Sequence, residues 1–391
     1  MRGFLAFTLL AVTPVSVSAS QASNFNVSQA TAESYQWGGG TTNATDLDTV
    51  GSDFDWDFYA VADKFSTSRP GDLLKFKPVD PTNLTTISGV SVYRIQYVSE
   101  DFDGTYVPVL GYIALPYYLP DSGKFPLIAY AHGTIGEFRG CAISNGPGLF
   151  DYSSWSLLSE RGYAILGTDY AGLGTNGTDH KYCALPAHAK NLFHSATAAR
   201  KVFGSVLTSN WMSVGHSQGG GAVWKLAEDV ESIAQSQCAD NATQCTTEPD
   251  NYLGTVALAP ATKIWDMTKL VAVQLKSSAN IHAYSIVNLI PMVDLAIQRL
   301  PAYNSFMLGK LAWLCASGML GLTLDLDLTL YPKQEHSGVL TAAAPDWLKW
   351  ISDRFSGKTT TGSCTKETKQ AFDNEYVRAA PEIDLSTNSV N

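Results

Sequence analysis

The sequence has few charged residues and no concentration of positive charge. Only 16% of its 391 residues are Asp, Glu, Lys or Arg, and the formal net charge is −10 at pH 7. Because no run of lysine and arginine occurs, nucleic acid is not an expected partner. The C-x-x-C and H-E-x-x-H patterns of metal sites are also missing, so no metal or other cofactor is predicted. The hydrophobic content of 45% is sufficient for a large buried core.

The N-terminus lacks an apolar run long enough to cross a bilayer, but it has the three parts of a secretory signal peptide. Arg2 supplies the positive charge, residues 4–12 form the short apolar core, and residues 17–19 are a small-residue cleavage site. Six cysteines and five N-x-S/T sequons also suit a secreted, disulfide-bonded glycoprotein. We therefore predict secretion after removal of residues 1–19. The sequons are at Asn26, Asn43, Asn83, Asn176 and Asn241.

Residues 214–221, Val-Gly-His-Ser-Gln-Gly-Gly-Gly, contain the pattern G-x-S-x-G of a nucleophile elbow. In such a turn a strand ends, a serine is presented at the tip in a strained conformation, and a helix begins. Gly215 and Gly219 are the small residues that this geometry requires on either side of Ser217. A strand pattern precedes the motif and a helical pattern follows it. This context predicts that Ser217 is a nucleophile rather than an idle serine in a glycine-rich turn.

Strand and helix patterns alternate along most of the chain. Residues 90–98 and 107–115 predict an antiparallel hairpin, and the later alternation of strands and helices is typical of a mostly parallel sheet with helices on both faces. A hairpin that leads into such a sheet, with the elbow midway, predicts the α/β-hydrolase fold. The later strands are predicted at 126–131, 163–168, 210–214, 252–258 and 320–330, and the helices at 152–161, 187–203, 222–230 and 345–355.

Changes in composition divide the chain into segments. Residues 20–52 are rich in Ser, Thr, Asn and Gly and are predicted to be a loosely ordered lead-in. The hydrolase core is predicted to comprise residues 53–263 and 320–364. The apolar helical segment 264–319 lies where hydrolases of this fold carry a helical cap, and it is predicted to be a truncated cap. Core helices are the alternative interpretation of this segment. The chain after Lys358 is polar, with residues 365–391 as the tail, and it is predicted to be frayed except near Cys364.

The serine hydroxyl needs a base with a near-neutral pKa to take its proton, which points to histidine. In this fold the base follows the nucleophile and the acid in chain order, and only His282 and His336 come after Ser217. His336 lies in a polar loop between the last predicted strand and the last helix, so it is predicted to be the base. His282 lies in an apolar stretch and is predicted to be structural.

An oxyanion intermediate needs N–H donors close to the serine. One is predicted to be the backbone N–H of Gln218, the residue after the nucleophile. The second is predicted to come from Gly133 or Thr134, because residues 132–136 form the loop after an early buried strand.

The triad acid should orient the imidazole and stabilise its charged form. Asp294 follows the apolar run 286–293 and leaves enough chain before His336, so it is the first candidate. Asp325 is the second candidate, although it lies close to His336 within a predicted strand.

Six motifs along the chain carry a family resemblance. They are Tyr130-Ala131-His132-Gly133-Thr134, Cys141-Ala142, residues 168–174 (Thr-Asp-Tyr-Ala-Gly-Leu-Gly), the G-H-S-Q-G elbow, Ala259-Pro260-Ala261 and residues 347–355. Together they resemble the fungal secretory lipase family over residues 55–364. The resemblance implies a secreted α/β-hydrolase with a helical cap that acts on acylglycerols or other carboxylic esters, with Ser217 and His336 as nucleophile and base. Position and resemblance also suggest the disulfides Cys141–Cys183, Cys238–Cys245 and Cys315–Cys364, one set among 15 pairings.

One feature of the resembled family is missing. Its members carry an aspartate in a Gly-x-x-Asp setting before the histidine, and this pattern does not occur between Pro260 and His336. The acid is therefore predicted to be degraded and the activity low. A catalytically impaired protein that binds a ligand or partner and a serine peptidase of the same fold are the alternative interpretations. For the esterase, we expect a monomer that acts on small-molecule or lipid esters and contacts lipid interfaces transiently.

Overall fold

The computed structural model describes the elbow and most of the predicted core. The described residues are 54–85, 89–137, 139–150, 152–240, 249, 251–262, 327–332, 334, 336–360 and 365–369. All of them belong to one compact unit, Val50–Asn391. The predicted signal peptide, lead-in and cap lie outside the described residues, as do His282, Asp294 and Asp325.

A seven-stranded sheet forms the centre of the fold. Its strands in chain order are β1 (Leu73–Pro78), β2 (Val90–Glu100), β3 (Tyr106–Pro116), β4 (Phe125–Ala131), β5 (Ala164–Thr168), β6 (Leu207–His216) and β7 (Tyr252–Leu258). Their order across the sheet is β1-β2-β3-β5-β4-β6-β7. Strands β1, β2, β3 and β5 pair antiparallel in succession, whereas β5, β4, β6 and β7 run parallel. This arrangement confirms the predicted hairpin and the parallel sheet that follows it.

Helices cover both faces of the sheet. They are α1 (Trp56–Tyr59), α2 (Tyr152–Ser159), α3 (Leu185–Phe203), α4 (Gln218–Asp240), α5 (Gly338–Ala342) and α6 (Ala344–Phe355), with short 3-10 turns at Asp63–Thr67, Pro81–Asn83 and Arg139–Cys141. Buried side chains of α3 and α4 pack on one face, and those of α2, α5 and α6 pack on the other. Among the described residues no helix is both long and apolar enough to span a bilayer.

Strand β4 shows how the sequence builds both layers. Leu127, Ala129 and Ala131 join the cluster formed with α3 and α4, whereas Ile128 and Tyr130 join the cluster formed with α2 and α6. Successive side chains of a strand point to opposite faces, so a continuous apolar run is buried on both sides. The strand pairs with β5 on one side and β6 on the other, and it therefore fixes the loop after Ala131 beside the elbow.

Two parts of the chain differ from the sequence-based predictions. Strand β1 lies in a segment without a predicted strand, because it is an edge strand whose end, Phe76, Lys77 and Pro78, is exposed. The predicted strand 320–330 is described only as β8 (Asp327–Leu330), which pairs in parallel with β9 (Thr365–Thr368) in a separate two-stranded sheet. Residues 365–368 lie in the part of the tail near Cys364 that was not predicted to be frayed, and their backbone pairs with β8.

Candidate active site

The G-x-S-x-G segment folds as a strand, a tight turn and a helix. Strand β6 ends at His216, and α4 begins at Gln218. Between them Ser217 adopts a left-handed backbone with φ 56°, which non-glycine residues rarely adopt. Its N–H donates to the carbonyl of Leu258 at 3.0 Å, and its own carbonyl accepts from Ala261 at 2.9 Å. These bonds to the end of β7 and the loop after it hold the strained residue in place.

The glycines of the motif are required by close backbone contacts. A Cβ atom added at Gly215 would lie 2.2 Å from the carbonyl oxygen of Gly219. A Cβ atom at Gly219 would lie 1.9 Å from the carbonyl oxygen of Ala131, at the end of β4. Both distances are far below any van der Waals contact, so a larger residue at either position would displace main chain. The motif thus brings the elbow into direct contact with the loop that follows β4.

Strained backbone is concentrated at the carboxyl ends of the parallel strands. Tyr170 after β5, Ser217 after β6 and Ala259 after β7 have φ values of 65°, 56° and 41°. In open parallel sheets this edge is where ligands bind, and strained residues cluster at such sites. The structure therefore marks this edge as the candidate site independently of the sequence motif.

The predicted oxyanion donors lie beside the serine. A Cβ atom added at Gly133 would be 3.5 Å from the Cβ of Ser217, so this part of the loop contacts the elbow directly. Among the described residues, the backbone N–H groups of Gly133 and Thr134 donate to no backbone carbonyl. Gln218 is the first residue of α4, and its N–H therefore has no acceptor within the helix. Gly133 and Gln218 therefore lie directly beside Ser217, and Thr134 is the next residue of the same loop.

His336 lies next to the elbow. Its ring centroid is 4.8 Å from that of His216, the residue that precedes Ser217. The Nε2 of His216 donates to the carbonyl oxygen of His336 at 3.2 Å, so His216 binds the backbone of the loop. The polar loop before α5 is thus held at His216, the residue that precedes the predicted nucleophile.

The predicted acids lie outside the described residues. A third aspartate of the same segment, Asp327, is described: it begins β8 and accepts a hydrogen bond from the hydroxyl of Thr365 at 2.5 Å. Asp327 therefore belongs to the two-stranded sheet, and the assignment of Asp294 or Asp325 as the acid stays a prediction.

A buried carboxyl group supports the loops behind the oxyanion residues. Asp169, at the end of β5, is completely buried and accepts hydrogen bonds from the backbone N–H and hydroxyl of Ser144 at 2.9 and 2.5 Å. Burial raises the pKa of Asp169 to about 6, although the bonds from Ser144 and the charge of Arg94 act in the opposite direction. The folded protein therefore favours the neutral form of Asp169. The free energy of unfolding that this preference contributes is lost as the pH rises through about 6.

Aromatic and histidine rings form a buried stack next to the same loops. The ring of Tyr170 lies 4.4 Å from that of His132 and 4.3 Å from that of His188, which in turn stacks on His180 at 5.4 Å. Burial, followed by the neighbouring His180 and His132, lowers the pKa of His188 well below 6.5. No group of three or more His, Cys, Asp and Glu side chains in the described part of the chain is arranged to hold a metal ion. The four rings pack against one another beside the loops that follow β4 and β5.

One suggested disulfide is not formed. The structure does not join Cys141 to Cys183. Cys141 ends a 3-10 turn, and its Sγ lies so close to Gly136 that a Cβ atom there would be 2.4 Å away. Cys183 is buried in a left-handed turn before α3. The suggestion for this pair was wrong, because the order of the strands did not show where the thiols of Cys141 and Cys183 lie. The other two pairs lie outside the residues whose side chains are described.

Sequence reasoning assigned no role to Asp169, Tyr170 or Ser144. The signal for the first two was available, because Thr168-Asp169-Tyr170 ends a predicted parallel strand at the edge that carries the site. Ser144 carried no such signal. It reaches Asp169 only through the fold of the long loop between β4 and α2.

Comparisons with known proteins support the same architecture. No protein-family model and no curated protein matches the chain. Candida antarctica lipase A in its closed state is similar at a TM-score of 0.51 and 14% identity, over 83% of this chain and 91% of that chain. A second structure of the same lipase gives 0.51 and 12%, over 83% and 82%. The rice cell wall degrading esterase LipA from Xanthomonas oryzae gives 0.47 and 15%, over 80% and 94%. Together with the strand order, the similarity to Candida antarctica lipase A shows that this chain has the α/β-hydrolase fold.

Proposed function

We propose that this chain is a secreted serine hydrolase of carboxylic esters, a lipase or carboxylesterase of the fungal secretory lipase family. The observation that carries the proposal is the strained Ser217 at the start of α4, with the N–H groups of the 133–134 loop beside it. The position of His336 supports it, because the ring of His336 is 4.8 Å from that of His216. The names of the similar solved structures, a lipase and an esterase, also favour ester substrates.

In the proposed reaction the Oγ of Ser217 attacks the ester carbonyl while His336 takes the hydroxyl proton. The carbonyl oxygen becomes negatively charged and is stabilised by the N–H of Gln218 and an N–H of the 133–134 loop. Collapse of this intermediate breaks the ester C–O bond, and His336 returns the proton to the leaving alcohol. Water then attacks the acyl group on Ser217 by the same route, which releases the carboxylic acid and restores the serine.

Neutral or weakly polar esters are the proposed substrates. Arg139 is the arginine in the region of the oxyanion loop, and it is engaged in structural contacts. Its Nε donates to the carbonyl of Gly174 at 3.3 Å, and its guanidinium lies 5.1 Å from the ring centroid of Trp56. These contacts hold the guanidinium on the protein, so they favour an uncharged acyl group over a phosphoester.

Secretion is proposed from the N-terminal signal and the sequons. The two sequon residues that the structure describes, Asn83 and Asn176, are both exposed. Asn83 ends the 3-10 turn Pro81–Asn83, and Asn176 lies in the loop between β5 and α3. Both side chains are accessible in the way that glycosylation requires.

Hydrolysis of a p-nitrophenyl ester of a short-chain acid tests the activity. The wild-type protein should release nitrophenolate, and Ser217→Ala should not. Ser195→Ala is the matched control, because Ser195 is buried in α3 and its hydroxyl donates to the carbonyl of Leu192 within its helix, at 2.7 Å. Ester hydrolysis that survives in Ser217→Ala would refute the proposal. A wild-type protein that binds the ester without cleaving it would favour the impaired binding protein, and cleavage of p-nitroanilides alone would favour a peptidase.

A further inference from the structure

The two peptide groups that carry the loop's oxyanion donors are each held by a buried side chain. We propose that His132 and Tyr170 are positioning residues that orient the N–H groups of Gly133 and Thr134 for catalysis. The inference rests on the proposed function, because it assigns these N–H groups to an oxyanion formed at Ser217.

The first support is a pair of hydrogen bonds to successive carbonyl groups. The hydroxyl of Tyr170 donates to the carbonyl oxygen of His132 at 2.9 Å. The Nδ1 of His132 lies 2.6 Å from the carbonyl oxygen of Gly133. Because a carbonyl oxygen can only accept, Nδ1 carries the proton in this bond. The other ring nitrogen, Nε2, makes a longer contact of 3.4 Å with the carbonyl oxygen of Asp169.

Peptide geometry carries these bonds to the N–H groups. Among the described residues every peptide bond is trans, so the C=O and N–H of one peptide point in opposite directions. The bond from Tyr170 to the His132 carbonyl therefore fixes the direction of the Gly133 N–H. In the same way, the bond from His132 to the Gly133 carbonyl fixes the direction of the Thr134 N–H. Each N–H is directed away from the donor that holds its carbonyl.

The positions of these groups agree with a catalytic orientation. Gly133 contacts the elbow, since a Cβ atom there would lie 3.5 Å from the Cβ of Ser217. Neither the Gly133 N–H nor the Thr134 N–H donates to a backbone carbonyl within the described residues. Buried N–H groups of a folded protein are almost always hydrogen-bonded. Gly133 is buried and Thr134 is half-buried, so two N–H groups left available beside a strained serine are suited to a ligand atom.

The two positioning side chains are themselves rigidly held. His132 is 1% exposed and Tyr170 is 0% exposed, and their rings are in contact. The backbone of Tyr170 is strained, with φ 65°, and hydrogen bonds of the two adjacent residues hold it in place. The N–H of Ala171 donates to the side chain of Asn191 at 2.9 Å, and the N–H of Asp169 donates to the carbonyl of Leu110 at 2.8 Å. A residue that supplied only apolar packing would need neither this strain nor its hydroxyl group.

Kinetic measurements on four variants test the inference. Tyr170→Phe removes only the hydroxyl, and His132→Leu removes the donor to Gly133. His132→Asn restores a donor, because its side-chain amide can place an N–H close to the position of Nδ1. His194→Leu is the matched control: His194 is also a buried histidine, but it packs against Gln237 near the far end of α4.

Oxyanion donors act mainly in the transition state, so loss of their orientation should lower kcat and leave KM nearly unchanged. We expect kcat to fall about a hundredfold in His132→Leu, the lower end of the range for loss of one donor, and about tenfold in Tyr170→Phe, where the N–H is retained but less firmly oriented. His132→Asn should recover most of the loss, and His194→Leu should keep the wild-type kcat. A thionoester supplies a second readout. Its sulfur accepts hydrogen bonds poorly, so the preference for ester over thionoester should shrink in the two impaired variants alone.

Each result decides the matter. An active wild-type enzyme with unchanged kcat and unchanged ester preference in Tyr170→Phe and His132→Leu would overturn the positioning role and leave the proposed function intact. If His132→Leu does not fold, Tyr170→Phe and His132→Asn carry the comparison, since they preserve shape and hydrogen-bonding capacity respectively. If the wild type cleaves neither substrate, the proposed function fails and the positioning role fails with it.

Discussion

Gly219→Ala introduces one methyl group at the most crowded backbone contact of the elbow. The added Cβ would lie 1.9 Å from the carbonyl oxygen of Ala131, 2.4 Å from its carbonyl carbon and 2.7 Å from the carbonyl oxygen of His132. Since real Cβ contacts do not come below 3.0 Å, the backbone must move by at least 1.1 Å (3.0 − 1.9). All three atoms belong to main chain at the end of β4 or just beyond it, and none can rotate away.

The structural cost should be large, because β4 lies between β5 and β6 in the centre of the sheet. Overpacking a rigid core costs about 1–3 kcal/mol and sometimes more, so we expect a loss of about 3–5 kcal/mol in the free energy of unfolding. A loss of catalytic rate is expected in addition to this loss of stability. Ala131 and His132 lead directly into the oxyanion loop, and a displacement of about 1 Å at a reacting centre can cost a hundredfold in rate.

Urea unfolding and ester hydrolysis of the same preparations measure both effects. Gly146→Ala is the control, because a Cβ atom at Gly146 would meet only the carbonyl oxygen of Ile143, at an ordinary 3.8 Å. The control should unfold within about 0.5 kcal/mol of the wild type and keep its activity. If Gly219→Ala matched the control in both stability and rate, the contact between the elbow and the oxyanion loop would be wrong.

Three other outcomes are expected. Asp169→Asn should gain about 3 kcal/mol of stability relative to the wild type between about pH 4 and pH 7, because only the wild type loses the benefit of its neutral buried acid; urea titrations with the same pH dependence for both proteins would contradict this. Asp294→Asn should lower kcat on a short-chain ester by orders of magnitude while Asp325→Asn should not; two variants that match a vigorously active parent would assign the acid to another residue. Hydrolysis should persist in excess EDTA, and a strict requirement for a divalent metal would count against the serine mechanism.

The central architecture could be predicted because the strands near the elbow have strong local patterns. The alternation in residues 90–98, followed by a turn and a second strand pattern at 107–115, predicts one hairpin, and the glycines around Ser217 admit only a tight turn. In contrast, β1 has charged residues and a proline at its exposed end, so its pattern resembles a surface loop. The pairing of β8 with β9 could not be predicted, since the sequence pattern of a strand does not show which distant segment of the same chain pairs with it.

The candidate site was predictable only in part. Ser217, Gln218 and Gly133 follow from the order of strand, turn and helix, and His336 follows from its place after the last strand. The position of Tyr170 after a predicted parallel strand was a signal for the site, but its bonding partner could not be predicted, because its hydroxyl reaches a carbonyl 38 residues earlier in the chain. The sequence ranks Asp294 above Asp325 by the apolar run before it, but it does not give the distance of either carboxyl group from the imidazole of His336, so the acid stays a prediction.

Covalent labelling by a fluorophosphonate probe tests the central claim, that Ser217 is an activated nucleophile, most directly. The probe phosphonylates a serine that has a base and oxyanion donors around it, and mass spectrometry of the digested protein identifies the labelled residue. We expect the wild type and Ser195→Ala to be labelled at Ser217, and Ser217→Ala to remain unlabelled while its unfolding curve stays close to that of the wild type. Undiminished labelling of Ser217→Ala, or labelling of the wild type at another serine, would contradict the claim.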